Sequence, residues 1–350
     1  MRCLLATRNL TRYDNDKRGS RLASPFAFQT NFVPTNSLRS FAVQIIKCMS
    51  IFRKLFFCFS LSFLFLLLGC ASLARPELSP EEEVALYPPA SYVPEAFEWE
   101  EVCPGVSRFD FENSGIPLIY HAVRIDLTLA GAAGQGRTLE LVCSCNESTA
   151  QFAARTQCAV AVNATPFTRS GQLAGIHKEA GELLSQPVAR YGAIAFKLAE
   201  NGGVSRAGYG ESGDLGQADE VGGPGYVARI FASQADGELE DFDYAFGGFF
   251  VVLRDGLVCT EFIRRGDSRT GVGLSADGRI LYFLVVEGEW PGRSRGLSYP
   301  QCGELFKAMG CSQALELDGG SSSELCINGK SVLSYKVHSR QVNSFGFRVK

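Results

Sequence analysis

The chain has 350 residues, of which 46% are hydrophobic, 20% charged and 11% aromatic, a globular mix that excludes a largely disordered or low-complexity protein. Its formal charge of −3 divides unevenly: residues 1–69 hold 10 Lys/Arg against 2 Asp/Glu, so residues 70–350 hold 24 against 35 and stand at −11. A body that acidic lacks the basic footprint nucleic acid requires, so nucleic acid is not an expected partner.

Residues 1–48 are polar, rich in Arg, Asn and Ser, and without periodicity. They read as a start-site artefact or a disordered tail, with Met49 as the working start. From Met49 a short basic patch (Arg53, Lys54) precedes an apolar run from Leu55 to Leu68, the pattern of an export signal over 49–69. Leu67-Leu68-Gly69-Cys70 resembles the bacterial lipoprotein processing site, which predicts a lipid on Cys70 and an exported, membrane-anchored lipoprotein of the bacterial cell envelope. The alternative is an uncleaved anchor helix. Residues 70–101 are Pro- and Glu-rich and read as a tether. No comparable linker follows, so 102–350 reads as a single large domain.

Strand-like alternation dominates that domain, at Ile119–Leu129, Thr138–Ser144, Ala159–Asn163, Ala193–Leu198, Phe249–Arg254, Leu257–Ile263 and Arg279–Val286. Two helices are expected: Ser148–Thr156, opened by a Ser cap, and Tyr299–Met309, with Ser298 before it, Pro300 in its first turn and Gly310 after it. Asn328-Gly329 signals a two-residue hairpin, and Gly-rich loop fills 200–226. The fold class is therefore α+β, a strand-rich mixed sheet with a few helices. Eight cysteines lie within the domain (103, 143, 145, 158, 259, 302, 311, 326), an even number that suits disulfides in an exported protein, with connectivity left open. None is spaced CxxC, which argues against zinc, and no metal or cofactor is expected.

Four constellations at strand ends carry candidate chemistry. In ALELDGGSSS (314–323) a strand delivers Asp318 to Gly319-Gly320 and three hydroxyls, a nest suited to an anion; the plain alternative is a turn in which Asp318 caps its own backbone. Arg269, in RTGVGLSADG (269–278), has the fork that holds phosphate or carboxylate. Asn163 closes the strand before Ala164-Thr165-Pro166-Phe167, and His121 opens another with Arg124 and Asp126 downstream. The chain has no P-loop, HExxH or GxGxxG directly after a strand, which disfavours nucleotide-driven enzymes, zincins and dinucleotide dehydrogenases.

The segments HAVRIDL (121–127), AVNATPF (161–167), FGGFFVVLRDG (246–256), RTGVGLSADGR (269–279), LVVEG (284–288), GLS (296–298) and ALELDGGSSSEL (314–325) together resemble the phosphodiester glycosidase family. The resemblance implies an exported α+β domain that cleaves a sugar from a sugar-1-phosphodiester and leaves a phosphomonoester. Asn163, Arg269, Thr270, Asp318, Gly319, Gly320 and Ser322 fall on the family motif. The implied arrangement has Arg269 and the Gly319-Gly320 backbone holding phosphate, with Thr270 and Ser322 beside them. Asp318 serves as base or nucleophile, Asn163 orients the sugar, and His121 is a second candidate for proton transfer. Three positions depart from the motif. Asn-Gly-Gly-Phe-Phe is replaced by Asn163-Ala164-Thr165-Pro166-Phe167, the Asn two before Asp318 is Glu316, and an Asp-Gly is Glu287-Gly288. Two rival readings follow: a lipid-anchored glycan-binding protein without turnover, and a metal-dependent enzyme using Glu316 and Asp318.

Overall fold

The computed structural model describes residues 88–131, 137–199, 225–262, 265–337 and 341–350. The expectations for 1–48, the signal at 49–69, Cys70, the tether up to residue 87 and most of the loop at 200–226 lie outside the described residues. Glu77–Lys350 form one compact unit. Among the described residues no helix is long and apolar enough to cross a membrane.

In chain order the elements begin with α1 (Pro89–Tyr92), β1 (Glu100–Cys103), β2 (Val106–Asn113), β3 (Leu118–Asp126), β4 (Leu139–Cys145), α2 (Thr149–Thr156) and β5 (Cys158–Asn163). Next come β6 (His177–Glu179), β7 (Glu182–Ser185), β8 (Ala193–Leu198), β9 (Tyr226–Phe231), β10 (Tyr244–Gly247), β11 (Val251–Arg254) and β12 (Leu257–Val258). The chain closes with β13 (Arg269–Ser275), β14 (Ile280–Val286), α3 (Tyr299–Ala308), β15 (Cys311–Glu316), β16 (Leu325–Ile327), β17 (Lys330–Ser331) and β18 (Asn343–Val349). They build an eight-stranded sheet ordered β1-β2-β3-β14-β13-β15-β11-β12 and two five-stranded sheets, β7-β6-β10-β8-β9 and β17-β16-β5-β18-β4.

The α+β class stands, and every ladder between these strands is antiparallel; among the described residues the one parallel contact is an isolated bridge between Ala130 and Leu139. Alternation explains the layering. On one face of the large sheet Val123, Ile125, Val272, Phe283, Val285 and Leu315 enter the first core. On the other, Tyr120, Ala122, Leu284 and Val286 pack with Cys302, Leu305 and Phe306 of α3. Three buried rings join all three sheets: Phe345 of β18 stacks on Phe246 of β10 at 4.4 Å and meets Phe283 of β14 edge-on at 5.4 Å. Truncating such a ring costs roughly 3–5 kcal/mol.

Both helices start where expected. Ser148 with Gln151, and Ser298 with Gln301, form capping boxes. Asn328 and Gly329 have φ of 49° and 73°, the positive pair a two-residue hairpin demands. The tether joins the fold earlier than expected: Tyr92 is buried in the second core, and Phe97 and Trp99 stack at 5.8 Å against it. The strand expected over Leu257–Ile263 ends at Val258, and the one expected through Leu129 turns into a short 3-10 helix at Leu127. All eight domain cysteines are free thiols, against the expectation of disulfides.

Candidate active site

The site grows from the register of three central strands. His121 pairs with Val285, Val285 with Thr270, and the Leu317 N–H donates to the Thr270 carbonyl at 2.8 Å. One row over lie Tyr120, Val286 and Arg269, and Gly271 pairs with Glu316. Because neighbours along a strand point to opposite faces, His121 and Thr270 face the first core while Arg269 and Glu316 face α3. The sheet therefore divides the residues that the motif groups together.

Asp318 sits just past β15. Its N–H donates to the Ala164 carbonyl at 3.0 Å, and its own carbonyl accepts from Asn163 Nδ2 at 2.7 Å, so its peptide is clamped to the end of β5. The Gly320 N–H donates to the Ser268 carbonyl at 2.8 Å, and a Cβ on Gly319 would lie 3.1 Å from that oxygen, so the turn hugs β13 closely. The Asp318 carboxyl is partly exposed; burial pushes its pKa up to about 7, against the Ser322 hydroxyl that hydrogen-bonds it. The anion nest is less open than its glycines suggest. The N–H groups of Asp318, Gly320, Ser322 and Ser323 already donate to backbone carbonyls, which leaves the exposed Ser321 carrying the outermost hydroxyl.

Two expected ligand contacts are corrected by burial. Asn163 is 1% exposed: its Oδ1 accepts from Thr270 Oγ1 and from the Glu324 N–H, both at 2.9 Å, while its Nδ2 holds Asp318. Asn163 and Thr270 thus frame the Asp318 backbone instead of orienting a sugar. Arg269 is buried as the first residue of β13. Its Nε and Nη2 donate to the carbonyls of Leu297 and Arg265, both at 2.9 Å, and its guanidinium lies 4.3 Å from the Tyr299 ring centre. Those contacts tie it to the 265 and 297 loops through Nε and Nη2.

His121 is also committed. Nδ1 lies 2.6 Å from Asp110 Oδ1 and Nε2 3.2 Å from Glu287 Oε1. Burial pulls its pKa down, but the two carboxylates outweigh burial and raise it. The hydrogen bond from His121 lowers Asp110, and His121 with Ser334 lowers Glu287 against burial. Glu287 also accepts from the Ser334 N–H at 2.7 Å and from the Ser334 hydroxyl. Both ring nitrogens of His121 are thus engaged by carboxylates. Glu316 is the contrary case. It is 1% exposed, its carboxylate meets no N–H or O–H donor, and burial pushes it up to about 7 although the Arg269 charge and the Cys302 thiol pull the other way. Among the described residues, the one group of three or more metal-capable ligand atoms does not include Glu316 or Asp318. Asp110, Ser334 and Tyr299 were missed by sequence reasoning; the alternation of Arg108-Phe109-Asp110-Phe111 would have placed Asp110 on a strand.

The carboxyl groups thus divide into two sets, Asp110 and Glu287 lowered beside His121, and Asp318 and Glu316 raised by burial. The profile of the phosphodiester glycosidase family (NAGPA) matches residues 156–347, more than half of the chain, and the chain belongs to that family. The matched span excludes β3 and the HAVRIDL segment, which the fold nonetheless places beside β14. Among solved structures, a hypothetical protein from Synechocystis superposes with a TM-score of 0.52 at 17% identity, covering 73% of this chain and 64% of that one. The chain thus spans under two thirds of that relative. The catalytic domain of zebrafish N-acetylglucosamine-1-phosphodiester alpha-N-acetylglucosaminidase, auto-inhibited by its pro-peptide, superposes with a TM-score of 0.50 at 16% identity, covering 73% of this chain and 87% of that one. At these identities the likeness is one of fold. No curated protein sequence matches the chain.

Proposed function

We propose that the protein hydrolyses a sugar-1-phosphodiester, releasing a GlcNAc-like sugar and a phosphomonoester, as an exported and lipid-anchored enzyme. The observation that carries this reading is Asp318: a partly exposed carboxyl at the end of a central strand, its backbone fixed on both sides, and its pKa raised to about 7. A phosphomonoester leaves readily, so cleavage of the C1–O bond needs little general-acid help. What it needs is a carboxylate to take a proton from water or to attack C1. In the hydrolytic balance, the phosphate keeps the bridging oxygen, water supplies the new hydroxyl at C1, and its second proton ends on the phosphate or solvent. Ser321 and Ser322 supply hydroxyls beside Asp318, while Asn163 and Thr270 hold its peptide in place.

A second reading, glycan binding without turnover, has one observation in its favour. The segment replacing the family's two glycines is packed shut: Ala164 and Thr165 are each 1% exposed, and Thr165 Oγ1 donates to the Ile176 carbonyl and accepts from the Gly247 N–H. One experiment separates the readings. The full chain in detergent is incubated with UDP-GlcNAc and with a GlcNAc-1-phospho-methyl-mannose diester, and free sugar is followed alongside the Asp318→Asn variant. Release lost in the variant supports hydrolysis; binding without release supports the rival. Lipid anchoring rests on Cys70 and is tested by Cys70→Ala, which should shift the protein from membranes to the soluble fraction.

A further inference from the structure

A second cluster of reactive side chains lies outside the Asp318 turn. β4 ends in Cys143-Ser144-Cys145, and β6 is His177-Lys178-Glu179. Alternate residues on a strand share a face, so each strand presents a pair of donors. The two strands belong to different sheets, with no ladder between them. Their side chains nevertheless converge. His177 Nε2 lies 3.2 Å from Cys145 Sγ and 2.9 Å from Glu179 Oε1, and Cys145 Sγ lies 3.8 Å from the same oxygen. The Cys143 thiol also hydrogen-bonds Glu179. His177 is fully buried, with Nε2 aimed into the cluster and Nδ1 without a hydrogen-bond partner.

Two sulfurs, an imidazole nitrogen and a carboxylate oxygen make a zinc donor set. With Zn–S near 2.3 Å and Zn–N or Zn–O near 2.1 Å, the edges of a tetrahedron come to roughly 3.3–3.8 Å, so the separations among Cys145, His177 and Glu179 need only a few tenths of an ångström of adjustment, while the Cys143 thiol lies outside that trio and has to swing inward. We propose that Cys145, His177 and Glu179 bind one Zn²⁺, with the Cys143 thiol turning in as the fourth ligand to close a structural site. The absence of a CxxC spacing hid it, because the ligands come from CxC and HxE pairs on strands rather than from knuckle turns. Binding releases both thiol protons and leaves the site with a net charge of −1.

The position gives the ion a role. Cys145 and Glu179 are 34 residues apart, and the clip closes that loop while joining two sheets that share no ladder. Asn343 pairs with Cys145 in the β4–β18 ladder, and its side chain holds Thr165 at both N–H and carbonyl, 2.7 Å each. Ala164, one residue earlier, accepts the Asp318 N–H. The clip therefore braces the segment behind Asp318 without touching it, and its existence does not depend on the glycosidase reading.

The test uses the full chain, produced in zinc-supplemented medium and purified with reductant and no chelator. Metal content by mass spectrometry should show one zinc per chain, lost in Cys145→Ser and in His177→Asn and retained in Cys103→Ser. Replacement by Co²⁺ should give a thiolate-to-cobalt charge-transfer band that Cys143→Ser and Cys145→Ser each weaken, so the wild-type spectrum alone stays informative if a variant misfolds. A folded wild-type protein with neither zinc nor the cobalt band, or a Cys145→Ser variant with unchanged zinc, overturns the proposal.

Discussion

Asp318 and Asp110 are both aspartates at the margin of the large sheet, yet their surroundings push them in opposite directions. Asp110 and Glu287 share an imidazolium, and His121 keeps both charged. Asp318 has a hydroxyl for company and no cation, so burial raises it to about 7. Glu316, on the other face, is raised to a similar value by near-complete burial. The difference shows that the partner, not the residue type, decides which carboxyl can exchange a proton near neutral pH. Under the proposed function it favours Asp318 over His121 for the chemistry.

The largest expected break is Asp318→Asn, which keeps the shape and removes the ionisable group; sugar release should fall roughly 10²–10⁴-fold, measured as kcat/KM. Next is Glu316→Gln. The folded protein holds a proton on Glu316 between pH 4.5 and about 7 that the unfolded chain has lost, so stability falls as pH rises through that window and stays lower above it. The substitution should restore about 3 kcal/mol at about pH 9 relative to about pH 5, read from urea midpoints. His121→Asn should cost about 2 kcal/mol near pH 6. Its raised pKa means that contribution is complete below 6.5 and fades as pH climbs through the folded value, whereas the lowered Asp110 and Glu287 contribute above 3.8 and 4.5 and lose it in acid. The smallest is Ser148→Ala, which removes a cap distant from both carboxyl environments. It should cost about 1 kcal/mol at every pH and leave sugar release unchanged.

Much of this was legible in the sequence, and the exceptions have physical causes. Both helices, the 328–329 turn and the strand delivering Asp318 followed from caps, positive-φ residues and alternation. β13 was hidden because Gly271 and Gly273 break the apolar pattern, so the burial of Arg269 within a strand was not legible. Asn163 was legible as a strand end, but whether its amide meets a ligand or a backbone depends on β5 lying beside the 318 turn, a contact 155 residues apart in sequence. The pairing of Cys145 with His177 likewise depends on two sheets meeting.

The most direct measurement is the pH dependence of kcat/KM for sugar release by the wild-type chain. With Asp318 acting as the ionised carboxylate, the rate should climb with pH through a midpoint near 7 and level off above it. A profile flat across that range, or one that Asp318→Asn reproduces at full height, would contradict the account.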